Sequence, residues 1–161
     1  MKYLVSAYLI FTSVLLIGQN FTETNAMVFE GLSEGSCEMV DIDNDGDLDI
    51  FIMGSNNFGA ADSHLYENDG NGNFTEKMNT NIQRVERGDV SFADLDDDGD
   101  QDFLISGITF SNSRICLVYR NDGNGNFTEG DDMQMTGMQD CQQALVDIDN
   151  DGDLDLIITG R

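Results

Sequence analysis

The 161-residue sequence predicts an all-β protein made of repeated four-stranded antiparallel sheets, and three observations support this prediction. The stretch VDIDNDGDLD at 40–49 recurs letter for letter at 146–155, and ADLDDDGDQD lies midway at 93–102, which sets a step of 53 residues. The block NDGNGNFTE at 68–76 recurs at 121–129 with the same step. Short β-branched segments and Asn-Gly turns lie around these blocks, and helical periodicity is absent. A strict repeat of this kind is typical of arrays of one supersecondary unit.

Each repeat is predicted to contain four strands. In the first repeat, residues 37–40 lead into an acidic loop and the apolar stretch 48–54 leaves it, while 64–68 and 73–78 flank an Asn-Gly pair that signals a two-residue hairpin turn. Four strands per repeat match the blade of a β-propeller, so we expect an incomplete ring of about 2.5 blades. A β-sandwich does not explain the strict repeat, and a β-solenoid would have shorter repeats without this hairpin.

The N-terminal residues are interpreted as a signal peptide. Lys2 precedes an apolar run over 4–17, which suits a signal-peptide core and is shorter than the roughly 20 residues of a membrane-spanning helix. The repeat register first appears at NFTE, residues 20–23, which favours cleavage after Gly18 over the competing site at Ala26. Export predicts a secreted or cell-surface location.

The predicted organisation is therefore a signal peptide followed by a partial propeller. The segments are 1–18 as signal peptide, 19–161 as partial propeller, 19–34 as the leading strand of a closing blade with its linker, 35–87 as repeat 1, 88–140 as repeat 2 and 141–161 as the start of repeat 3. An array that stops within a blade exposes an unpaired sheet edge, so further blades are expected from a longer chain.

Composition narrows the classes of partner. The formal charge is −24, from 31 acidic and seven basic residues. Nucleic acid and anionic membrane surfaces are therefore poor binding partners, and cations are good ones. The three cysteines, Cys37, Cys116 and Cys141, form no CxxC pair, so they are interpreted as small buried residues with at most one incidental disulfide. His64 is the only histidine, and no set of catalytic side chains can be assembled around it, so no enzyme activity is predicted for this chain.

The acidic loops follow the pattern D-x-D-x-D-G-D-x-D and predict calcium sites. Calcium takes roughly six to eight oxygen ligands, and carboxylates at positions 1, 3 and 5 can converge when a glycine at position 6 turns the chain sharply. Position 7 would offer its carbonyl oxygen and position 9 a carboxylate. One Ca²⁺ per repeat, three in the chain, is expected at Asp41, Asp43, Asp45, Asp47, Asp49, Asp94, Asp96, Asp98, Asp100, Asp102, Asp147, Asp149, Asp151, Asp153 and Asp155.

Two other interpretations of these loops are weaker. An EF-hand needs a glutamate at position 12 and flanking helices, whereas position 12 is Ile52, Ile105 and Ile158 and the flanks are strands. A solvated acidic turn without metal is the other alternative, and three loops at a fixed spacing, each with its glycine, argue against it.

The chain resembles the FG-GAP/VCBS repeat family of calcium-loop propeller blades, which also occur in the integrin α-subunit. The resemblance rests on VDIDNDGDLDIFIMG and its two counterparts and on the NDGNGNF hairpin. It implies a propeller in which the loop between the first two strands of each blade binds Ca²⁺ through positions 1, 3, 5, 7 and 9. FGAA at 58–61 is out of register and no proline follows Gly54, so the bacterial VCBS type is closer and integrin ligand binding is not implied.

These observations favour a secreted or cell-surface module for adhesion, in which structural Ca²⁺ rigidifies each blade and variable loops contact an extracellular protein or glycan. The alternative is the repeat region of a secreted polysaccharide-active lyase or hydrolase whose catalytic part lies outside this chain. A third option is a passive stalk. Asn20, Asn73 and Asn126 begin N-F-T glycosylation sequons, but the turn accounts for asparagine at these positions.

Overall fold

The computed structural model describes residues 29–78, 80–130 and 135–161, and all regular structure within them is β-strand. The predicted signal peptide, both candidate cleavage sites and the NFTE strand at 20–23 lie outside the described residues. The strands are β1 Ser33–Val40, β2 Asp49–Ser55, β3 Ala61–Asn68, β4 Phe74–Glu76, β5 Glu86–Ala93, β6 Asp102–Ile108, β7 Arg114–Asn121, β8 Phe127–Glu129, β9 Gln142–Val146 and β10 Asp155–Thr159.

The strands form two four-stranded sheets and one two-stranded sheet, all antiparallel with sequential neighbours paired. Sheet 1 has the order β1-β2-β3-β4, sheet 2 has β5-β6-β7-β8, and sheet 3 contains β9 and β10. The prediction of an all-β fold with four antiparallel strands per full repeat is confirmed. No sheet within the described ranges closes a ring, so the propeller stays a prediction.

The first strands of the sheets lie side by side. β1 contacts β5, and β5 contacts β9, so each sheet meets the next along its first strand. β1 and β5 begin slightly before the repeat boundaries drawn at residues 35 and 88, because a bulge near each start carries the chain back into the ladder. A Cβ on Gly88 would lie 1.8 Å from the carbonyl oxygen of Ser106, so this bulge requires glycine.

An aromatic cluster packs sheet 1 against sheet 2. Phe103 is fully buried, and its ring centroid lies 5.4 Å from that of Phe51, 4.8 Å from that of Tyr119 and 4.9 Å from that of Phe127. A second cluster joins sheet 2 to sheet 3; its members are Leu104, Cys116 and Val118, with Leu95, Met135, Leu156 and Ile158 packed against them. Apolar burial between successive repeats therefore holds the sheets together.

The cysteines differ in burial. Cys116 and Cys141 are buried, as expected, and all three thiols are free. Cys37 is exposed, which corrects the expectation that it would be buried. Cys37 lies on β1 and lines an apolar groove of about 500 Å³.

An ion pair links the first strand of sheet 2 to the start of sheet 3. The Arg87 guanidinium donates to both carboxylate oxygens of Asp140 at 2.7 Å, and the Asp140 amide donates to the Arg87 carbonyl at 2.6 Å. Hydrogen bonds from Arg87 first, and then from Arg161 and Gln139, lower the pKa of Asp140 from 3.8 to about 2. Because this pKa is lower in the folded state, the ionised carboxylate stabilises the fold above pH 3.8, and this contribution is lost as the pH falls towards 2.

Asp140→Asn is therefore expected to destabilise the protein at neutral pH and to have a shrinking effect between pH 3.8 and 2. Urea unfolding of variant and wild type across this range measures the difference. A difference that stays constant with pH would show that the carboxylate charge does not matter at this junction.

Candidate metal centre

The three acidic loops have the same backbone conformation. They connect the first two strands of each sheet, over residues 41–48, 94–101 and 147–154. The residues at positions 4 and 6 have positive φ in every loop, and the glycines at position 6 have φ values of 94°, 96° and 102°. A Cβ on these glycines would have no atom within 4 Å, so glycine is needed for its backbone conformation and not for close packing.

Carboxylates at positions 1 and 5 hold this turn. Asp41 Oδ2 accepts a hydrogen bond from the Gly46 amide at 3.0 Å, and the corresponding distances in the other loops are 2.9 and 3.1 Å. The carboxylate at position 5 accepts from the amide at position 7 at 2.9, 2.9 and 3.0 Å. Hydrogen bonds from backbone amides therefore orient these carboxylates.

Carboxylate oxygens converge in each loop. Three oxygens, one from each of three aspartates, lie within 4.8 Å of one another. The groups are Asp41, Asp43 and Asp45 in loop 1, Asp94, Asp96 and Asp102 in loop 2, and Asp147, Asp149 and Asp155 in loop 3. Positions 1 and 3 thus come together in all three loops, joined by position 5 in loop 1 and by position 9 in loops 2 and 3. Asp49, Asp98 and Asp151 lie outside these groups.

In loops 1 and 2 the side chains at position 7 make contacts outside the carboxylate clusters. A Cβ on Gly70 would lie 2.2 Å from the Asp47 carboxylate, and one on Gly123 would lie 2.6 Å from that of Asp100, so each packs against the turn between the third and fourth strands. Asp100 also accepts a hydrogen bond from the side-chain amide of Asn44 in loop 1 at 2.7 Å. Only the carbonyl at position 7 was predicted to be a ligand, and these contacts are compatible with that role.

The aspartates at position 9 of loops 1 and 2 are buried and tied to the backbone. Asp49 and Asp102 are 1% and 0% exposed. Asp49 accepts from the amides of Ile42 at 3.0 Å and Asn68 at 2.8 Å, and Asp102 has the equivalent bonds. Burial raises the pKa of Asp49, while the two backbone hydrogen bonds lower it. These carboxylates therefore connect the loop to the third strand as well as bordering the acidic cluster.

Burial, and after it the crowding of carboxylates, raises pKa values within the loops. The pKa of Asp43 is raised by burial first and then by the charge of Asp45, and that of Asp96 by burial and then by the charge of Asp102. A cation among these oxygens would favour the ionised forms.

The donor set fits calcium. The Oδ1 atom of Asp41 is buried and has no hydrogen-bond partner among the described residues. A buried carboxylate oxygen without a partner is costly, and a cation bound in loop 1 would satisfy it. Hard oxygen ligands in a flexible loop are the donors that Ca²⁺ prefers, and nitrogen and sulfur ligands are absent from all three groups.

The turn between the third and fourth strands spans five residues instead of the predicted two. The Asp69 carboxylate accepts from the amides of Asn71 at 2.9 Å and Asn73 at 3.1 Å, and from the Asn73 side chain at 2.8 Å. Asp122 makes the same kinds of bonds in sheet 2, and the asparagine side chain in each turn lowers the pKa of its aspartate. The amide of Asn73 is thus engaged within the turn.

Two neighbouring positions at the end of the third strand were missed by sequence reasoning: the asparagine position, which is Asn68 in sheet 1 and Asn121 in sheet 2, and the position before it, which is Arg120 in sheet 2. Asn68 and Asn121 connect this strand to the acidic loops, and Asn121 donates to the carbonyl oxygens of Ile42 at 2.8 Å and Gln101 at 3.1 Å. Arg120 forms an ion pair with Asp102. The asparagine recurs at the 53-residue step, so the sequence did indicate it. Arg120 has Glu67 as its counterpart one repeat earlier, so no recurrence pointed to it.

Comparison with known families identifies one match. Residues 41–105, from the first aspartate of loop 1 into β6, match the family of FG-GAP-like repeats. No curated protein and no solved structure matches the chain. In the ranges 29–78, 80–130 and 135–161, no helix has the length and hydropathy needed to span a membrane.

Proposed function

We propose that this protein is a secreted or cell-surface repeat module in which one Ca²⁺ per acidic loop stabilises successive propeller blades. The observation that carries the proposal is the convergence of three carboxylate oxygens in each loop, with the orphaned Asp41 Oδ1 in the first. The FG-GAP-like match over 41–105 supports it, since such repeats typically occur in extracellular proteins. The side-by-side first strands support the propeller, and closure of the ring would need further blades.

Calcium acts in this proposal as a structural ion. It would supply positive charge to carboxylates that the backbone already places close together. Asp41, Asp43 and Asp45 would bind it in loop 1, Asp94, Asp96 and Asp102 in loop 2, and Asp147, Asp149 and Asp155 in loop 3.

The binding surface is proposed at the end of the sheets opposite the acidic loops. In an antiparallel meander the loop between the second and third strands lies at the other end from the loop between the first two. A groove of about 520 Å³ lies there, between sheets 1 and 2. It is lined by Ala60, Ala61, Thr80, Asn81, Ile82, Gln83, Arg84 and Phe110.

The chemistry of the groove suits a glycan or a polar protein segment. Phe110 is 81% exposed and presents an aromatic face to solvent, while Asn81, Gln83 and Arg84 offer amide and guanidinium donors. A sugar ring could stack on Phe110 and hydrogen-bond to these polar groups. An exposed ring beside a few polar side chains is a common composition of ligand sites.

Binding to an array of extracellular glycans, in calcium and in chelator, tests this function. We expect calcium-dependent binding that Phe110→Ala abolishes, with Phe58→Ala as the matched control because Phe58 is exposed (95%) but does not line the groove. Binding that survives Phe110→Ala would place the ligand elsewhere, and a lack of glycan binding would favour a protein partner or a passive stalk.

A further inference from the structure

One position in the third strand differs in charge between sheets 1 and 2. Glu67 in β3 and Arg120 in β7 are separated by the 53-residue step and occupy the same place in the ladder, opposite Thr75 and Thr128. Each is followed by the asparagine that ties the third strand to the acidic loop. The repeat thus places a negative side chain beside loop 1 and a positive one beside loop 2.

Arg120 lies directly on the oxygen cluster of loop 2. Its Nη1 donates to Asp102 Oδ2 at 2.7 Å, and its Nε lies 3.8 Å from Asp96 Oδ2. Asp96 and Asp102 are two of the three aspartates in that cluster. The arginine side chain is 25% exposed, and Asp102 is fully buried, so solvent screens this contact only partly. A positive charge therefore already neutralises part of the carboxylate set of loop 2.

Loop 1 has the opposite arrangement. Glu67 occupies in β3 the register position that Arg120 occupies in β7, so it places a negative charge on the side of loop 1 where loop 2 has a positive one. Lys77 pairs with Glu67 and also donates to the Asn124 carbonyl of sheet 2 at 3.1 Å. No lysine or arginine in the described ranges pairs with Asp41, Asp43 or Asp45.

We propose that the residue at this position sets the relative calcium affinities of loops 1 and 2. Arg120 competes with Ca²⁺ for Asp96 and Asp102 and so lowers the calcium affinity of loop 2, and Glu67 raises the calcium affinity of loop 1. The inference rests on the proposed calcium function. A unit charge a few ångströms from a divalent ion changes its binding roughly tenfold even at high effective dielectric. The two neighbouring loops would thus fill at different calcium concentrations.

The glycine amides at position 6 report on each loop separately. The amides of Gly46, Gly99 and Gly152 each donate to the first aspartate of their own loop, so their NMR resonances follow binding loop by loop. In a calcium titration of ¹⁵N-labelled protein, Gly46 is expected to reach its midpoint at a lower concentration than Gly99.

Reciprocal charge substitutions test the ranking. Arg120→Glu is expected to lower the Gly99 midpoint roughly tenfold or more, and Glu67→Arg to raise the Gly46 midpoint by a similar factor. Arg120→Lys is the matched control for charge: it keeps the positive charge while changing the hydrogen-bonding group, so it should shift the Gly99 midpoint much less than Arg120→Glu does. The Gly152 midpoint should stay constant in Glu67→Arg, which changes sheet 1. In Arg120→Glu it should move less than the Gly99 midpoint, because Arg120 hydrogen-bonds to the loop 2 cluster, whereas towards loop 3 it lines a groove with Gly152 and Asp155.

The outcomes separate the ranking from the calcium function. Calcium-dependent shifts whose Gly99 midpoint does not respond to Arg120→Glu would overturn the ranking alone. A midpoint that moves equally in Arg120→Glu and Arg120→Lys would also overturn it, because a hydrogen bond rather than charge would then be responsible. The absence of calcium-dependent shifts at all three glycines would overturn the calcium function and the ranking with it.

Discussion

Removal of calcium is expected to lower the melting temperature of this protein by on the order of 20 °C. A ligand that binds only the folded state at 100 times its dissociation constant adds about 2.7 kcal/mol per site, so three filled loops would contribute about 8 kcal/mol. Without the ions, the carboxylates of each cluster, whose oxygens lie within 4.8 Å of one another, would repel; neighbouring negative charge adds to the effect of burial in raising the pKa values of Asp43 and Asp96. This repulsion favours the unfolded chain.

Differential scanning calorimetry in excess calcium and in chelator measures the effect. Asp41→Asn should reduce the calcium-dependent part of the melting temperature, because it weakens one loop cluster. Asp69→Asn is the matched control: it also removes one aspartate at the same end of sheet 1, but from a turn outside the clusters, so its calcium response should equal that of wild type. Equal melting temperatures in calcium and chelator would contradict the structural role of the ion.

The elements of each repeat could be predicted because their signals are local. The glycine at position 6 needs a positive φ, and the aspartate spacing places carboxylates on one side of the turn, so sequence alone located the loops. The four strands were found because β-branched runs and turn residues alternate at a fixed step. The 53-residue recurrence then transferred each assignment from one repeat to the next.

Features that depend on contacts between strands could not be predicted in this way. The Asn71-Gly72 signal suggested a two-residue turn, but the Asp69 carboxylate captures two following amides and widens it to five residues. Asp49 is buried and accepts a hydrogen bond from the backbone amide of Asn68, 19 residues later, a contact that no sequence period encodes. Arg120 reaches loop 2 from the third strand. In the sequence it is one of seven basic residues, and nothing there connects it to the loop 2 aspartates.

The packing of one repeat on the next leads to the second large expected effect. Phe103→Ala is expected to lower the free energy of unfolding by about 3 to 5 kcal/mol, the range for truncating a buried phenylalanine. Phe103 lies in sheet 2, and its ring contacts those of Phe51 in sheet 1 and of Tyr119 and Phe127 in sheet 2. Its truncation would leave a cavity at the junction of the two sheets.

Urea unfolding in saturating calcium measures this loss, with Phe58→Ala as control, since Phe58 is 95% exposed and its truncation should change the free energy by no more than about 0.5 kcal/mol. Because the ring of Phe103 joins two sheets, the variant should also show whether they unfold together. A single unfolding transition, with an unchanged dependence of the free energy of unfolding on urea concentration, means that the two sheets unfold together. Two transitions mean that each repeat unfolds independently. A loss below about 1 kcal/mol would contradict the buried aromatic junction, because so small an effect is typical of exposed side chains.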